Sequence, residues 1–114
     1  MTAQAWAKSV GTPLLPYALQ PVVDPIPQIA LVDYELTLTK PARLTADTGI
    51  DSLVHAVEAY VSKRANPFAD QAALTAMRLI WPNLPLACAD PGNRAAREAL
   101  MLGALHGGIA FSNS

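Results

Sequence analysis

Cysteine is almost missing from this sequence: Cys88 is the only one, which excludes a disulfide framework. Charge is also scarce, since eight basic and nine acidic residues give a formal net charge of −1 and no basic surface for nucleic acid or anionic lipid. No apolar run approaches the roughly eighteen residues of a membrane span, and residues 1–8 lack the pattern of a secretion signal. We therefore expect a soluble cytoplasmic protein that binds neither nucleic acid nor membranes.

The chain is rich in apolar residues. Hydrophobic residues make up 52% of its 114 residues and charged residues only 15%, which is unlike the composition of a disordered segment. This length allows one modest domain with a core of its own. The surplus of apolar side chains predicts in addition that one face of the domain packs against something else.

Residues 1–40 are predicted to be an irregular or extended segment. Six of the ten prolines fall in the first 41 residues, and each removes a backbone donor and fixes φ, which disfavours long helices. Within this segment the apolar run at residues 29–32, between Pro27 and Asp33, predicts a short buried strand. Residues 41–114 are predicted to form part of a helical domain.

An amphipathic helix is predicted at residues 46–65. Apolar side chains recur there at three- and four-residue spacing, and we expect them to face the core: Ile50, Leu53, Val54, Val57 and Val61. A polar stripe lies beside them at Asp51, His55, Glu58 and Ser62. Asn66 is expected to break the helix, because the residue before a proline is disfavoured in the α region.

Two further helices are predicted toward the end of the sequence. One spans about residues 70–80 and is expected to end at Pro82, where a backbone donor is lost. The other spans about residues 94–105, with the side chain of Asn93 as its cap. The glycines that follow leave residues 106–111 open as either a tightly packed continuation of this helix or a frayed end.

Asp51 and His55 stand four residues apart, which places a carboxylate and an imidazole on the same face of the predicted helix. Such a pair can chelate a divalent metal ion without distorting the backbone, as histidine pairs at this spacing do in metalloprotease helices. Spacing alone leaves an alternative open. In that alternative Asp51 serves the first turn of the helix, beside its positive end, and His55 is an ordinary, partly exposed residue.

The residues around this pair belong to longer motifs that follow one another in order. These motifs are residues 24–33, 36–51, 94–101 and 108–113, the last of which reads Gly-Ile-Ala-Phe-Ser-Asn. In residues 49–55 the order Gly-x-Asp-x-x-x-His contains the candidate metal ligands. Over nearly all of residues 23–114 the chain resembles the iron-containing (group III) alcohol dehydrogenases.

The resemblance implies a fold, a metal and a reaction. The fold is a mainly α helical bundle like part of the family's C-terminal domain. Asp51 and His55 match two ligands of the family's catalytic Fe²⁺, or of Zn²⁺ in some members, and two further histidines complete the ligand set farther along the family's chain. The implied activity is NAD(P)-linked oxidation of an alcohol or reduction of an aldehyde, in which the metal polarises the alcohol oxygen.

The family also has parts that this sequence does not show. Its glycine-rich pyrophosphate turn is not found in residues 1–20, and the two other ligand histidines would lie beyond Ser114. We therefore expect a fragment or truncated chain that is inactive alone. Two alternatives stay open: a non-catalytic helical remnant or interaction module with at most weak metal binding, which associates with itself or a partner, and an enzyme reconstituted with a separate chain.

Other conspicuous side chains have simpler interpretations. His106 is expected to be packed and hydrogen-bonded rather than a metal ligand, because it lies alone in an apolar helix. Cys88 is expected to be a small buried residue or a bystander thiol, and Glu58 to lie near the metal ligands or at the surface. Phe68 and Trp81 are predicted to anchor the core.

Overall fold

The computed structural model describes residues 29–114. In this part of the chain a short 3₁₀ helix at Tyr34–Thr37 precedes three α-helices: α1 at Ala42–Tyr60, α2 at Pro67–Ala89 and α3 at Arg94–Ser112. None of these helices is long and apolar enough to cross a membrane. The predicted mainly α fold is confirmed, whereas the proline-rich residues 1–28 lie outside the described part.

The three helices pack on one another as an up-down-up bundle, and each contacts both others. Near the beginning of α1 the backbone oxygen of Ala42 lies 3.8 Å from the sulfur of Cys88, at the end of α2, so α1 and α2 are antiparallel. Arg97, near the beginning of α3, bonds Thr45, near the beginning of α1. α1 and α3 therefore run in the same direction.

Short polar side chains cap two of the helices. The Asn66 carboxamide oxygen accepts from the backbone N–H of Ala69 at 3.0 Å, and Asn93 does the same for Ala96 at 3.1 Å. The predicted cap at Asn93 is confirmed, and the predicted break at Asn66 is present. α1 nevertheless ends at Tyr60, earlier than predicted, and residues 61–66 form the connection to α2.

The prediction that the second helix ends at Pro82 is wrong. α2 continues through Pro82 and Pro85 to Ala89, although each proline removes one helical hydrogen bond. Both prolines lie on the exposed side of the helix, where water can reach the carbonyl groups that lose their donors. Burial of Ile80 and Leu84 on the opposite side holds the helix together across the two prolines.

Residues 106–111 form a packed continuation of the third helix, not a frayed end. α3 runs without interruption to Ser112, past the three glycines. Two of these, Gly103 and Gly107, are buried against neighbouring helices, so the packing gained there compensates for their low helix propensity.

Residues with small side chains form most of the core. They lie on the helix faces that pack against the other two helices: Thr45, Gly49, Ala56 and Ala59 on α1, Ala69, Ala72, Ala73, Ala76 and Ala87 on α2, and Ala96, Gly103, Gly107 and Ala110 on α3. Alanine and glycine allow helix axes to approach closely. We call these residues the small-residue core.

The valines of α1 do not face this core, contrary to prediction. Four apolar side chains stand 44–71% exposed in one row: Ile50, Val54 and Val57 along α1, and Val61 directly after its end. Of the predicted apolar stripe only Leu53 packs against the core, and it is partly buried. The reason is that the alanine and glycine face, offset around the helix, makes the closer contact with α2 and α3. We call the four exposed residues the α1 apolar stripe.

Two further expectations about apolar residues are wrong. Phe68 and Trp81 were predicted to anchor the core, yet their side chains are 64% and 72% exposed, because α2 turns its alanines toward its neighbours instead. Residues 29–32, predicted as a buried strand, have no regular secondary structure and are exposed. Residues 29–114 contain no strand with which residues 29–32 could form a sheet.

The buried side chain of Arg97 connects the beginning of α1 with the turn before α3. The side chain of Arg97 is 2% exposed and donates to the Thr45 hydroxyl, to the Pro91 carbonyl at 3.1 Å and to the Lys40 carbonyl at 3.1 Å. Burial, and secondarily the charge of Arg97, lower the pKa of the Lys40 ammonium, which donates to Thr48. Arg97 thereby holds Lys40 and the first turn of α1 against the turn before α3.

Candidate metal site

Asp51 and His55 lie together on the exposed side of α1, as their spacing predicts. The distance from His55 Nε2 to Asp51 Oδ1 is 3.7 Å, and the two side chains are 40% and 70% exposed. An imidazole nitrogen and a carboxylate oxygen therefore face each other where an ion from solvent can reach both.

The alternative role for Asp51 as a first-turn residue is wrong. α1 begins at Ala42, so Asp51 lies near the middle of the helix, away from the positive end of the helix dipole. His55 is half-buried, because one side of its ring meets α3. Capping of the helix or interaction with its dipole therefore does not explain why a carboxylate stands at this position.

The imidazole of His55 stacks on the ring of Phe111. The ring centroids are 4.9 Å apart and the planes are inclined by 29°. Phe111 lies in the last turn of α3 and is itself 51% exposed, so the stack covers one face of the imidazole and leaves its edge toward Asp51.

A close contact between two backbones brings these rings together. A Cβ atom on Gly107 would lie 3.1 Å from the carbonyl oxygen of Ser52, which shows that α3 approaches the backbone of α1 at this point. Since the helices run in the same direction, the next turn of each brings Phe111 beside His55. The position of the stack thus depends on a residue without a side chain.

The pair fits part of the coordination shell of a divalent transition metal. Fe²⁺ and Zn²⁺ accept imidazole nitrogen and carboxylate oxygen, and ligands four residues apart can share one ion. Among residues 29–114, however, no three His, Cys, Asp or Glu side chains form a group that could hold a metal ion. The described residues therefore provide at most two ligands, which is half of a typical shell.

The other candidate residues have contacts of their own. His106 Nδ1 lies 2.8 Å from the Leu102 carbonyl oxygen, one turn earlier in α3, so the expected hydrogen bond is present. Cys88 is half-buried. Glu58 is exposed and lines a shallow, open cleft together with Phe111 and residues near the ends of α1 and α3.

Comparison with known sequences defines the class of protein. Residues 45–114, more than half of the chain, match the C-terminal part of the Fe-containing alcohol dehydrogenase family. The chain therefore belongs to the iron-containing alcohol dehydrogenase family, as the motifs around Asp51 and His55 suggest.

Several characterised relatives are similar to the chain over most of its length. It is 51% identical to a 1,3-propanediol dehydrogenase of Citrobacter freundii over 78% of the chain and 23% of that relative. It is 47% identical to an NAD-dependent methanol dehydrogenase of Bacillus methanolicus over 82% of the chain and 25% of the relative. An NADPH-dependent butanol dehydrogenase of Clostridium saccharobutylicum is 43% identical over 77% and 22%. The chain thus spans about a quarter of the length of these relatives.

Sequence reasoning predicted that Asp51 and His55 lie together, as the structure has them, but missed the contact that α3 makes with His55. Phe111 and Gly107 were noticed only as part of a motif and as a residue of low helix propensity. Their spacing of four residues places them on one face of α3, which is a signal for a shared contact. Without the register between α1 and α3, that signal does not identify His55 as the partner.

Proposed function

We propose that this chain supplies two metal ligands, Asp51 and His55, to an iron-type alcohol dehydrogenase, and that it is inactive without the remainder of such an enzyme. The observation that carries the proposal is the pairing of His55 Nε2 and Asp51 Oδ1, 3.7 Å apart on an exposed helix face within the segment that matches the family. The reaction class is NAD(P)-linked oxidation of alcohols or reduction of aldehydes.

The proposed metal is Fe²⁺, with Zn²⁺ as the second choice. Bound there, it would supply a Lewis acid for an alcohol or aldehyde oxygen. Asp51 would contribute the negative charge that favours a divalent cation, and His55 a neutral nitrogen donor. The relatives are named for both NAD and NADPH, so the proposed hydride carrier is either nucleotide. The cytoplasmic location and the division of the chain at residue 40 stay predictions.

Metal titration tests the ligand assignment. We expect ferrous ion, titrated anaerobically into the purified chain, and zinc ion in a separate titration to bind near one equivalent by calorimetry. Because each ligand provides half of the protein donors, Asp51→Ala and His55→Ala should each weaken binding at least tenfold. The parent chain should show no NAD(P)-dependent alcohol oxidation, with or without metal.

Asp47 provides a matched control on the same helix. This carboxylate is exposed, and its ion-pair partner is Arg43 at 3.9 Å. Asp47→Ala removes the same charge from α1 without touching the proposed site, so metal affinity should stay within about twofold of the parent. Absent binding, or binding that survives both ligand substitutions, would contradict the assignment.

A second candidate function, a helical interaction module, is favoured by the α1 apolar stripe. Ile50, Val54, Val57 and Val61 expose an apolar surface along the second half of α1 and the residue that follows it, on a helix whose other side already packs in the bundle. Apolar surfaces of this kind commonly mark contacts between polypeptides. In this role the stripe would pair with the same stripe of a second copy.

Sedimentation analysis discriminates between the two candidates. A module that self-associates through the stripe should show a concentration-dependent increase in mass, and Val57→Lys should abolish it, because a lysine at the centre of the contact would be desolvated. Ala95→Lys adds the same charge at an exposed position of α3 and should leave association unchanged. A monomer at all concentrations would exclude this second function and leave the metal proposal untouched.

A further inference from the structure

We propose that Phe111 is a positioning residue whose ring holds the His55 imidazole in the orientation in which His55 and Asp51 present their donor atoms to one ion. This inference rests on the proposed function of the pair. It extends the site from α1 to α3 and adds a side chain that binds no metal itself.

The stack restricts the freedom that an exposed histidine would otherwise have. His55 is 40% exposed, and a side chain so placed on a helix normally samples several χ1 and χ2 angles. With its ring centroid 4.9 Å from that of Phe111 and the planes inclined by 29°, the imidazole face is in aromatic contact. Intermediate angles of χ2 would break this contact, so the stack keeps the imidazole in one plane, and in that plane Nε2 lies 3.7 Å from Asp51 Oδ1.

The backbone of α3 makes this arrangement reproducible. Gly107 lies against the Ser52 carbonyl, one turn before Phe111 on α3 and one turn before His55 on α1. A contact between backbones leaves little room for one helix to slide along the other. The ring of Phe111 is therefore fixed relative to α1 even though Phe111 lies close to the end of its helix.

Orientation matters here because the described site has only two donors. A ligand that must first be ordered reduces metal affinity by the free energy of that ordering, and groups that orient metal-bound histidines commonly change affinity 10- to 100-fold. Because only two donors bind the ion, the free energy of ordering one of them is a large part of the total. Loss of a single orienting contact should therefore lower the metal affinity measurably.

Zinc titration of ring-free variants of the full 114-residue chain tests this role. Phe111→Leu and Phe111→Met remove the aromatic ring and keep an apolar side chain, and each should weaken Zn²⁺ binding about tenfold. Phe111→Tyr keeps the ring and should restore the affinity of the parent. Phe68→Leu, at an exposed phenylalanine of α2, is the matched control and should leave binding unchanged.

Proton NMR of the His55 ring provides a second readout that does not depend on metal. In the parent and in Phe111→Tyr the ring current of the stacked partner should shift the His55 carbon-bound ring protons upfield. Phe111→Leu and Phe111→Met should return them to ordinary values. A merely structural role of Phe111 would change the unfolding transition instead and would not be rescued selectively by tyrosine.

The outcomes separate this inference from the function on which it rests. If the parent binds zinc and the ring-free variants bind equally well, the positioning role is overturned while Asp51 and His55 remain ligands. Unshifted His55 protons in the parent overturn it as well. If the parent binds neither zinc nor, in the anaerobic titration, ferrous ion, the proposed function fails and the positioning role fails with it.

Discussion

Replacement of Arg97 by methionine should lower the free energy of unfolding by about 3 kcal/mol, an unusually large effect for one side chain in so small a bundle. The guanidinium donates to the Thr45 hydroxyl and to the carbonyl oxygens of Pro91 and Lys40, and the side chain is 2% exposed. Methionine has a comparable length but no donors. Three acceptors would then lose a charged partner in a site with little access for water.

Arg97→Lys should be nearly as damaging. An ammonium group cannot reach three acceptors that surround a planar guanidinium, so most of the hydrogen bonds would still be lost. Urea unfolding followed by far-UV circular dichroism measures the difference, and the slope of the transition shows whether it stays two-state.

Arg94 provides the control for Arg97. It stands one turn earlier and bonds Glu35 at 3.3 Å, with both side chains 61% exposed. Arg94→Met should cost less than about 1 kcal/mol, because exposed ion pairs contribute little. Equal effects of the two methionine variants would show that the buried hydrogen bonds of Arg97 contribute nothing beyond an ordinary surface contact.

Gly103→Ala should destabilise the bundle by about 1–3 kcal/mol, although alanine is the better helix former. A Cβ atom at this position would lie 2.5 Å from Cγ1 of Ile80, which is fully buried. Cγ1 is not the flexible end of the isoleucine side chain, and Leu79 Cβ is also close, at 3.4 Å. α2 and α3 would have to separate to admit the added methyl group.

The neighbouring Gly108 should respond in the opposite direction. It lies in the same helix, and a Cβ atom there meets nothing within 4 Å. Gly108→Ala should therefore raise the free energy of unfolding by about 0.5–1 kcal/mol through helix propensity and reduced freedom of the unfolded chain. Thermal unfolding of the two variants in parallel measures both signs. A stabilising Gly103→Ala would contradict the close approach of α2 and α3.

Local signals in the sequence predicted the cap of α3 and the break between α1 and α2, although not the residue at which α1 ends. Asn93 caps α3 and the Asn66-Pro67 pair separates α1 from α2, because capping and proline effects act over one or two residues. The continuation of α2 past Pro82 could not be predicted in this way. It depends on the burial of Ile80 and Leu84 against other helices, which no local rule contains.

The orientation of α1 was missed for a related reason. Large apolar side chains dominate a periodicity argument, so the valines were assigned to the core. The face that packs has Gly49, Ala56 and Ala59, whose small apolar area gives a weak signal in sequence but whose size permits close contact. The proximity of Asp51 and His55 could be predicted because their spacing within one helix suffices, whereas the contact of His55 with Phe111 depends on the packing of two helices.

The small-residue core has a consequence for the rigidity of the candidate site. Alanine and glycine have no rotatable χ angles, so most of the contact between the helices forms without fixing side-chain rotamers. A displacement of α3 cannot be absorbed by rotamer changes at Gly107, where it meets the backbone of α1. The Phe111 ring and the His55 ring therefore keep their relative position for as long as Gly107 stays against the backbone of α1.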